Sequence, residues 1–283
     1  MKNRRIENVK MELKHNKIAL FSIVFLALIA LVSIFAFLYP YDPNKTNVSI
    51  MLQAPSLQHI FGTDELGRDY LARAIYGGRV SLLVGILAMV ISTSIGVLVG
   101  TVSGYFGGKI DNLLMRLVDI ISSIPWMILV TVISIFLKPG FRTIIIVIGF
   151  FTWMEISRIV RAETLSVKER EYVLYAVSTG EGSMSIIIKH IIPSVFPTII
   201  VAATTGIANA IMTESSLSFL GIGIQQPMSS WGSLLQNAQS NLQNAPYMAI
   251  LPGILIVLTI YSFNKLGDVL RVFVEPKSAA EGE

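Results

Sequence analysis

Six stretches of this chain, 18–39, 81–105, 113–137, 143–160, 191–211 and 248–263, are long runs of Ile, Leu, Val, Ala and Phe with few charges. A bilayer core about 30 Å thick takes roughly 20 apolar residues per helical crossing. In lipid every backbone N–H and C=O must be satisfied within the chain, so such runs fold as helices. Composition agrees: 14% of the 283 residues are charged and mean hydropathy is +0.67, whereas soluble domains carry about 25% charged residues. An all-α integral membrane protein with six transmembrane helices is expected. The opening MKNRRIENVKMELKHNK precedes an apolar run too long for a secretory signal, and no small-residue cleavage site follows. It reads as a retained first span. Pro193 and Pro197 predict a kinked or late-starting fifth helix.

Charge fixes an orientation. With the amino terminus in the cytoplasm, only Lys45, Arg68, Arg73, Arg79, Lys138 and Arg142 of the 22 Lys and Arg fall outside, leaving 16 inside. Both termini are then cytoplasmic, in a multi-pass prokaryotic plasma (inner) membrane protein. The expected organisation is a cytoplasmic segment 1–17, a first span 18–39, an external segment 40–80, a permease core 81–268 with a cytoplasmic loop 163–190, and a cytoplasmic tail 269–283.

Several chemistries find no support. The basic residues sit at the ends of apolar runs and form no aromatic-interleaved stripe, which argues against nucleic acid. Without cysteine there is no disulfide, thiolate ligand or Cys nucleophile. The nearest approach to a phosphate-binding loop, SGYFGGKI, has Ser103 for its first glycine and Ile110 after Lys109, so ATP is not bound by that route. His15, His59 and His190 are dispersed, and no metal site is expected. No G-x-S-x-G elbow appears. Neither a cofactor of this chain nor a catalytic residue is expected.

Four features remain. Gly96, Gly100, Gly104 and Gly108 recur every fourth residue and predict a ridge for close helix packing. Asp119, Glu155 and Glu214 lie in or near spans, where carboxylates pair or face water; Glu155 can reach Arg158 at i+3, and Glu214 either lines a path or caps a loop. The external segment 61–79 mixes Asp64, Glu65, Arg68, Asp69, Arg73 and Arg79, read as a salt-bridged cap. The uncharged loop QQPMSSWGSLLQNAQSNLQNAP is either a solvated connection or a docking surface.

The most defined feature is EYVLYAVSTGEGSMSIIIKHIIP, residues 171–193. Helix formers from Glu171 to Thr179 make a short helix, Gly180 suits the left-handed position after it, Gly182 adds freedom, and Ser183 can cap the next helix. Exposed Tyr172 and Tyr175 need a cover, either a partner's groove or the lipid surface.

Here the chain resembles the permease subunits of ABC importers, specifically the C-type permease of the oligopeptide/dipeptide/nickel group. The family signature runs E-A-A, three residues, G, nine residues, I, one residue, L-P. In this chain Leu174, Tyr175 and Ala176 stand in the E-A-A places, Gly180 in the glycine place, His190 in that of the Ile, and Ile192 and Pro193 end it. FGTDELGRDYLARAIYGGRVSL, SRIVRAETL, ESSLSFLGIGIQQPMSSWG and LPGILIVLTIYSFNKLGDVLR resemble further group signatures in the same order. The resemblance implies a type I (MetI-like) permease fold, a heterodimer with a sister permease, two cytoplasmic ATPases carrying ATP and Mg, and an external solute-binding protein. It also implies that the elbow docks on an ATPase, through Glu171, Tyr172, Tyr175, Ala176, Gly180, Gly182 and Lys189. Leu174 in place of the family Glu removes one carboxylate from that contact. Peptides are the expected cargo, nickel or a metal chelate the alternative. An ion-coupled carrier using Asp119, Glu155 or Glu214 is the reading from another class, and an intramembrane enzyme a third.

Overall fold

In the computed structural model, residues 16–274 are described; most of segment 1–17 and the tail beyond Val274 lie outside them. Among the described residues the fold is helical, with one isolated bridge between Thr63 and Asp69. The long helices are α1 (Lys17–Ile34), α2 (Tyr70–Phe106), α5 (Phe141–Val167), α7 (Ser183–Phe219) and α9 (Tyr247–Val274). A sixth span comes from a bent pair, α3 (Gly108–Ser122) and α4 (Trp126–Leu137), angled by 77°. Two short helices sit at opposite ends: α6 (Glu171–Ser178) at one, α8 (Trp231–Ala238) at the other.

The bundle therefore has an elbow end, with α6, and a cap end, with segment 40–69 and α8. The spans alternate between them. α1 reaches the cap at Ser33, beneath Gly78 of α2, and α9 leaves it from Tyr247, whose hydroxyl lies 2.9 and 2.8 Å from the carbonyls of Gln53 and Thr63. Lys17 and Val274 both belong to the elbow end.

Boundaries differ from the apolar runs for identifiable reasons. α2 starts eleven residues before Ser81, because Asp69 caps it by accepting from the Ala72 N–H at 2.7 Å and Arg73 is neutralised within the cap. The third run is broken, since Pro125 lacks an N–H and restricts the residue before it. The fifth helix starts early rather than late: it begins at Ser183, passes Pro193 and Pro197, and relaxes through a π-helical turn at Ile187–Ile191. α1 ends at Ile34 and gives way to a 3₁₀ turn, Ala36–Leu38.

Glycine decides the tightest packing. A β-carbon on Gly96, Gly100 or Gly104 would come within 2.7, 2.6 and 2.7 Å of Ile156, Ser157 and Thr164 on α5. Gly149 on α5 answers in kind, with Ile91 and Ala88 of α2 as close as 2.9 and 3.0 Å. Gly108 is not part of this ridge. It lies past the end of α2, and with Gly107 it turns the corner into α3 at φ +53° and +62°, touching nothing.

Candidate functional site

The elbow folds on itself before it offers anything to a partner. α6 turns Val173 and Ala176 inward, against Val167, Ile186, Ile187, Ile191 and Val195. Burying an aliphatic side chain contributes about 1.5–3 kcal/mol, so these contacts anchor the short helix. Gly180 ends it at φ +78°, and the Glu181 N–H closes back on the Ala176 carbonyl at 3.1 Å, satisfying a carbonyl that the helix end leaves open. Gly182 has an ordinary φ of −65° and caps the next helix, so Ser183 is its first residue and not its cap.

Polar contacts then fix the angle. Tyr172 donates to Ser194 Oγ at 2.8 Å, and Ser194 donates to the His190 carbonyl at 2.7 Å. Across the glycine turn Glu181 accepts from Ser185 Oγ at 2.5 Å, lies 3.0 Å from His190 Nε2, and has Lys189 Nζ at 3.7 Å. The Ser185 hydroxyl first, and the His190 ring second, hold the Glu181 carboxyl below its ordinary value. Outward the elbow shows Tyr172, Leu174, Tyr175, Val177, Met184 and Ile188, with Tyr175 71% exposed. Glu171 sits exposed in the first turn of α6. Of the expected contact residues, Glu171, Tyr172, Tyr175 and Lys189 face out, while Ala176 faces the protein's own core. Glu181 is the residue missed: its partners are local in sequence, but no helix periodicity crosses a glycine turn.

Behind the elbow, Lys168 donates to the Gly104 carbonyl at 3.1 Å, and Arg161 clamps Asp111 through two bonds of 2.5 Å while Ser103 bonds the same carboxylate. The end of α5 is thereby tied to α2 and α3. The expected Glu155–Arg158 pair does not form. Arg158 reaches Asp119 instead, at 2.9 Å, because the α3–α5 packing brings that carboxylate closer to its guanidinium. Glu155 turns toward two cavities.

At the cap end Glu214 is fully buried, neither lining a path nor meeting solvent. It accepts from Ser81 Oγ at 3.0 Å and Ser218 Oγ at 2.7 Å. Ser81 also accepts the Trp231 N–H at 3.2 Å, and the Trp231 indole donates to the Ala74 carbonyl at 3.0 Å. The carboxylate thus stitches α7, α2 and α8 together, and part of the Gln/Asn-rich loop is buried structure.

Most of the outer charges form a network, joined by His59. Asp64 accepts from Arg68 Nε at 2.6 Å and faces Arg73 Nε at 3.4 Å, all three buried. Asp69 pairs with His59 at 2.8 Å, not with Arg73. Burial, then Asp69, pushes the neighbouring Tyr39 hydroxyl up to about 12. Arg79 stands apart from the network, lining a cavity of about 330 Å³ with Tyr76, Pro43 and Met228. No group of three or more His, Asp or Glu among the described residues could hold a metal.

Comparison with known proteins matches this architecture. Residues 8–55 match the N-terminal TM domain of oligopeptide transport permease C. The oligopeptide transport system permease protein OppC of Haemophilus influenzae is 40% identical over 96% of this chain and 88% of its own length. OppC of Bacillus subtilis is 36% identical over 96% and 89%, and the dipeptide transport system permease protein DppC of the same organism 38% over 98% and 90%. Residues 96–279 match the binding-protein-dependent transport system inner membrane component, and the chain belongs to that family.

Proposed function

We propose that this chain is one permease subunit of an ATP-driven importer and forms half of a translocation pathway for di- or oligopeptides. The observation that carries this is its similarity, across 96–98% of its length, to relatives named as oligopeptide and dipeptide permeases. Its partners in this reading are a sister permease, two ATPases that carry ATP and Mg, and a solute-binding protein outside the membrane. The elbow end, with both chain termini, faces the cytoplasm, and the core spans 81–268. Nothing observed favours a nickel cargo or an ion-coupled carrier.

The elbow is the coupling contact. Its outward face of Leu174, Tyr175 and Val177 lies outside the apolar spans, continues onto Met184 in the first turn of α7, and is too apolar to rest in water. A groove on an ATPase would cover it, with Glu171 and Lys189 at the rim. Leu174 makes this contact one of shape and burial more than of charge.

Reconstitution of the four-component complex with its binding protein in liposomes is the test. Peptide uptake that requires ATP is expected, and uptake by this chain alone under a proton or sodium gradient would overturn the reading. In the same preparation Gly180→Pro should assemble yet lose transport per ATP hydrolysed; wild-type coupling in that variant would reject the elbow's role.

A further inference from the structure

Glu155 lies midway along α5, flanked by Phe150, Phe151, Trp153, Ile156 and Ile159. The cations nearest in sequence are taken, Arg158 by Asp119 and Arg161 by Asp111. Among the described residues Glu155 is exposed and makes no hydrogen bond or ion pair. A carboxylate at membrane depth is costly and faces a bundle interior or a water-filled cavity. The chain itself supplies no other compensation.

Two cavities meet at this side chain. One, of about 60 Å³, is bounded by Met89 of α2, Thr152 and Glu155 of α5, and Thr205 and Asn209 of α7. The other, of about 240 Å³, lies between α4, α5 and α7 and is lined by Trp126, Phe151, Thr152, Glu155 and Thr213. Thr152 and Glu155 belong to both. The opposite face of α5 is sealed against α2 by the glycine ridge, so this strip is the face α5 and α7 leave for whatever lies across from them.

The polar groups beside Glu155 are neutral. Thr152 donates to the Ile148 carbonyl and Thr205 to those of Val201 and Ala202, which leaves their oxygens free to accept. The Asn209 amide is unpaired among the described residues. No Lys, Arg or His lines either cavity. One negative charge amid acceptors and an amide is the complement of a chain end carrying an ammonium and backbone N–H groups.

We propose that Glu155 is a station on the translocation path, where its carboxylate receives the α-ammonium of a peptide in transit while Thr152, Thr205 and Asn209 bond the first amides. This rests on the reading of the chain as half of a peptide pathway. One charged contact on an open strip holds cargo briefly, and passage needs a site weak enough to leave.

The complete complex in liposomes tests it. A tripeptide and its N-acetylated form are each presented at saturating binding protein. Glu155→Gln is expected to slow uptake of the free tripeptide about tenfold, the worth of one charge-assisted hydrogen bond, and to leave uptake of the acetylated form unaltered; Glu155→Asp should recover at least a third of the lost rate. Equal slowing of both peptides, or of neither, overturns the proposal. Because the chain has no cysteine, Glu155→Cys adds a unique thiol for location, read by mass on this chain. Modification by a membrane-impermeant cationic thiosulfonate during turnover is expected. An inert thiol places the residue against lipid or the sister subunit and rejects the station. Failure of the wild-type complex to move any peptide strikes the underlying reading instead, before any variant is made.

Discussion

A β-carbon added to Gly100 would sit 2.6 Å from the Ser157 carbonyl oxygen and 2.8 Å from Val160, so α2 and α5 must part to admit it. Gly100→Ala is therefore expected to cost about 1–3 kcal/mol, seen as a lower thermal midpoint of the purified protein. Gly182→Ala meets nothing within 4 Å and has ordinary backbone, so the same assay should show no shift beyond about 0.5 kcal/mol. Gly180→Ala lies between, with open space but a left-handed φ of +78°, a strain of about 1 kcal/mol. The four-residue spacing made Gly96, Gly100 and Gly104 legible in the sequence. It could not separate Gly108, since periodicity does not record where a helix stops. The partner of Arg158 was hidden for a related reason: i+3 neighbours are visible along a chain, whereas Asp119 arrives from another helix.

The elbow is the element the sequence described best, because its helix, its glycine and its exposed rings are all local. Its internal clasp was less visible and gives a pH signature. Glu181 titrates below its ordinary value of 4.5 in the folded elbow, so its contribution is complete above that value and is lost as pH falls through the depressed one. Amide exchange at 182–186, corrected for intrinsic rate, should be slow near neutral pH and accelerate in acid. Glu181→Gln should exchange fast throughout, with no acid step. The bent α3–α4 span shows the opposite limit. Hydropathy alone joins 113–137 into one run, and only Pro125, read for its missing donor, divides it.

Across the whole molecule the class and number of spans were legible because lipid leaves few alternatives, while the pairings at the cap were not. Asp64→Ala would strand Arg73 in a buried position and leave Arg68 only the Glu65 carboxylate, 3.2 Å away, and should cost about 3 kcal/mol or more. A double-mutant cycle in thermal unfolding should find coupling between Asp64 and Arg73 and none between Asp69 and Arg73. Glu214→Ala should loosen α8 from α2 and α7, leaving the Ser81 and Ser218 hydroxyls without their acceptor at about 1–3 kcal/mol; limited proteolysis between α8 and α9 reads the loss directly. The Glu214 junction also sets how force can travel. α7 has 37 residues, a rod of about 55 Å; in the proposed coupling it is driven at Ser183 and pinned near its other extremity. Pivoted there, it sweeps widest beside α6 and scarcely shifts at Asn209. The mechanical result is a wedge: the bundle splays toward the driven side while its far rim keeps its shape, like a door on a hinge pin.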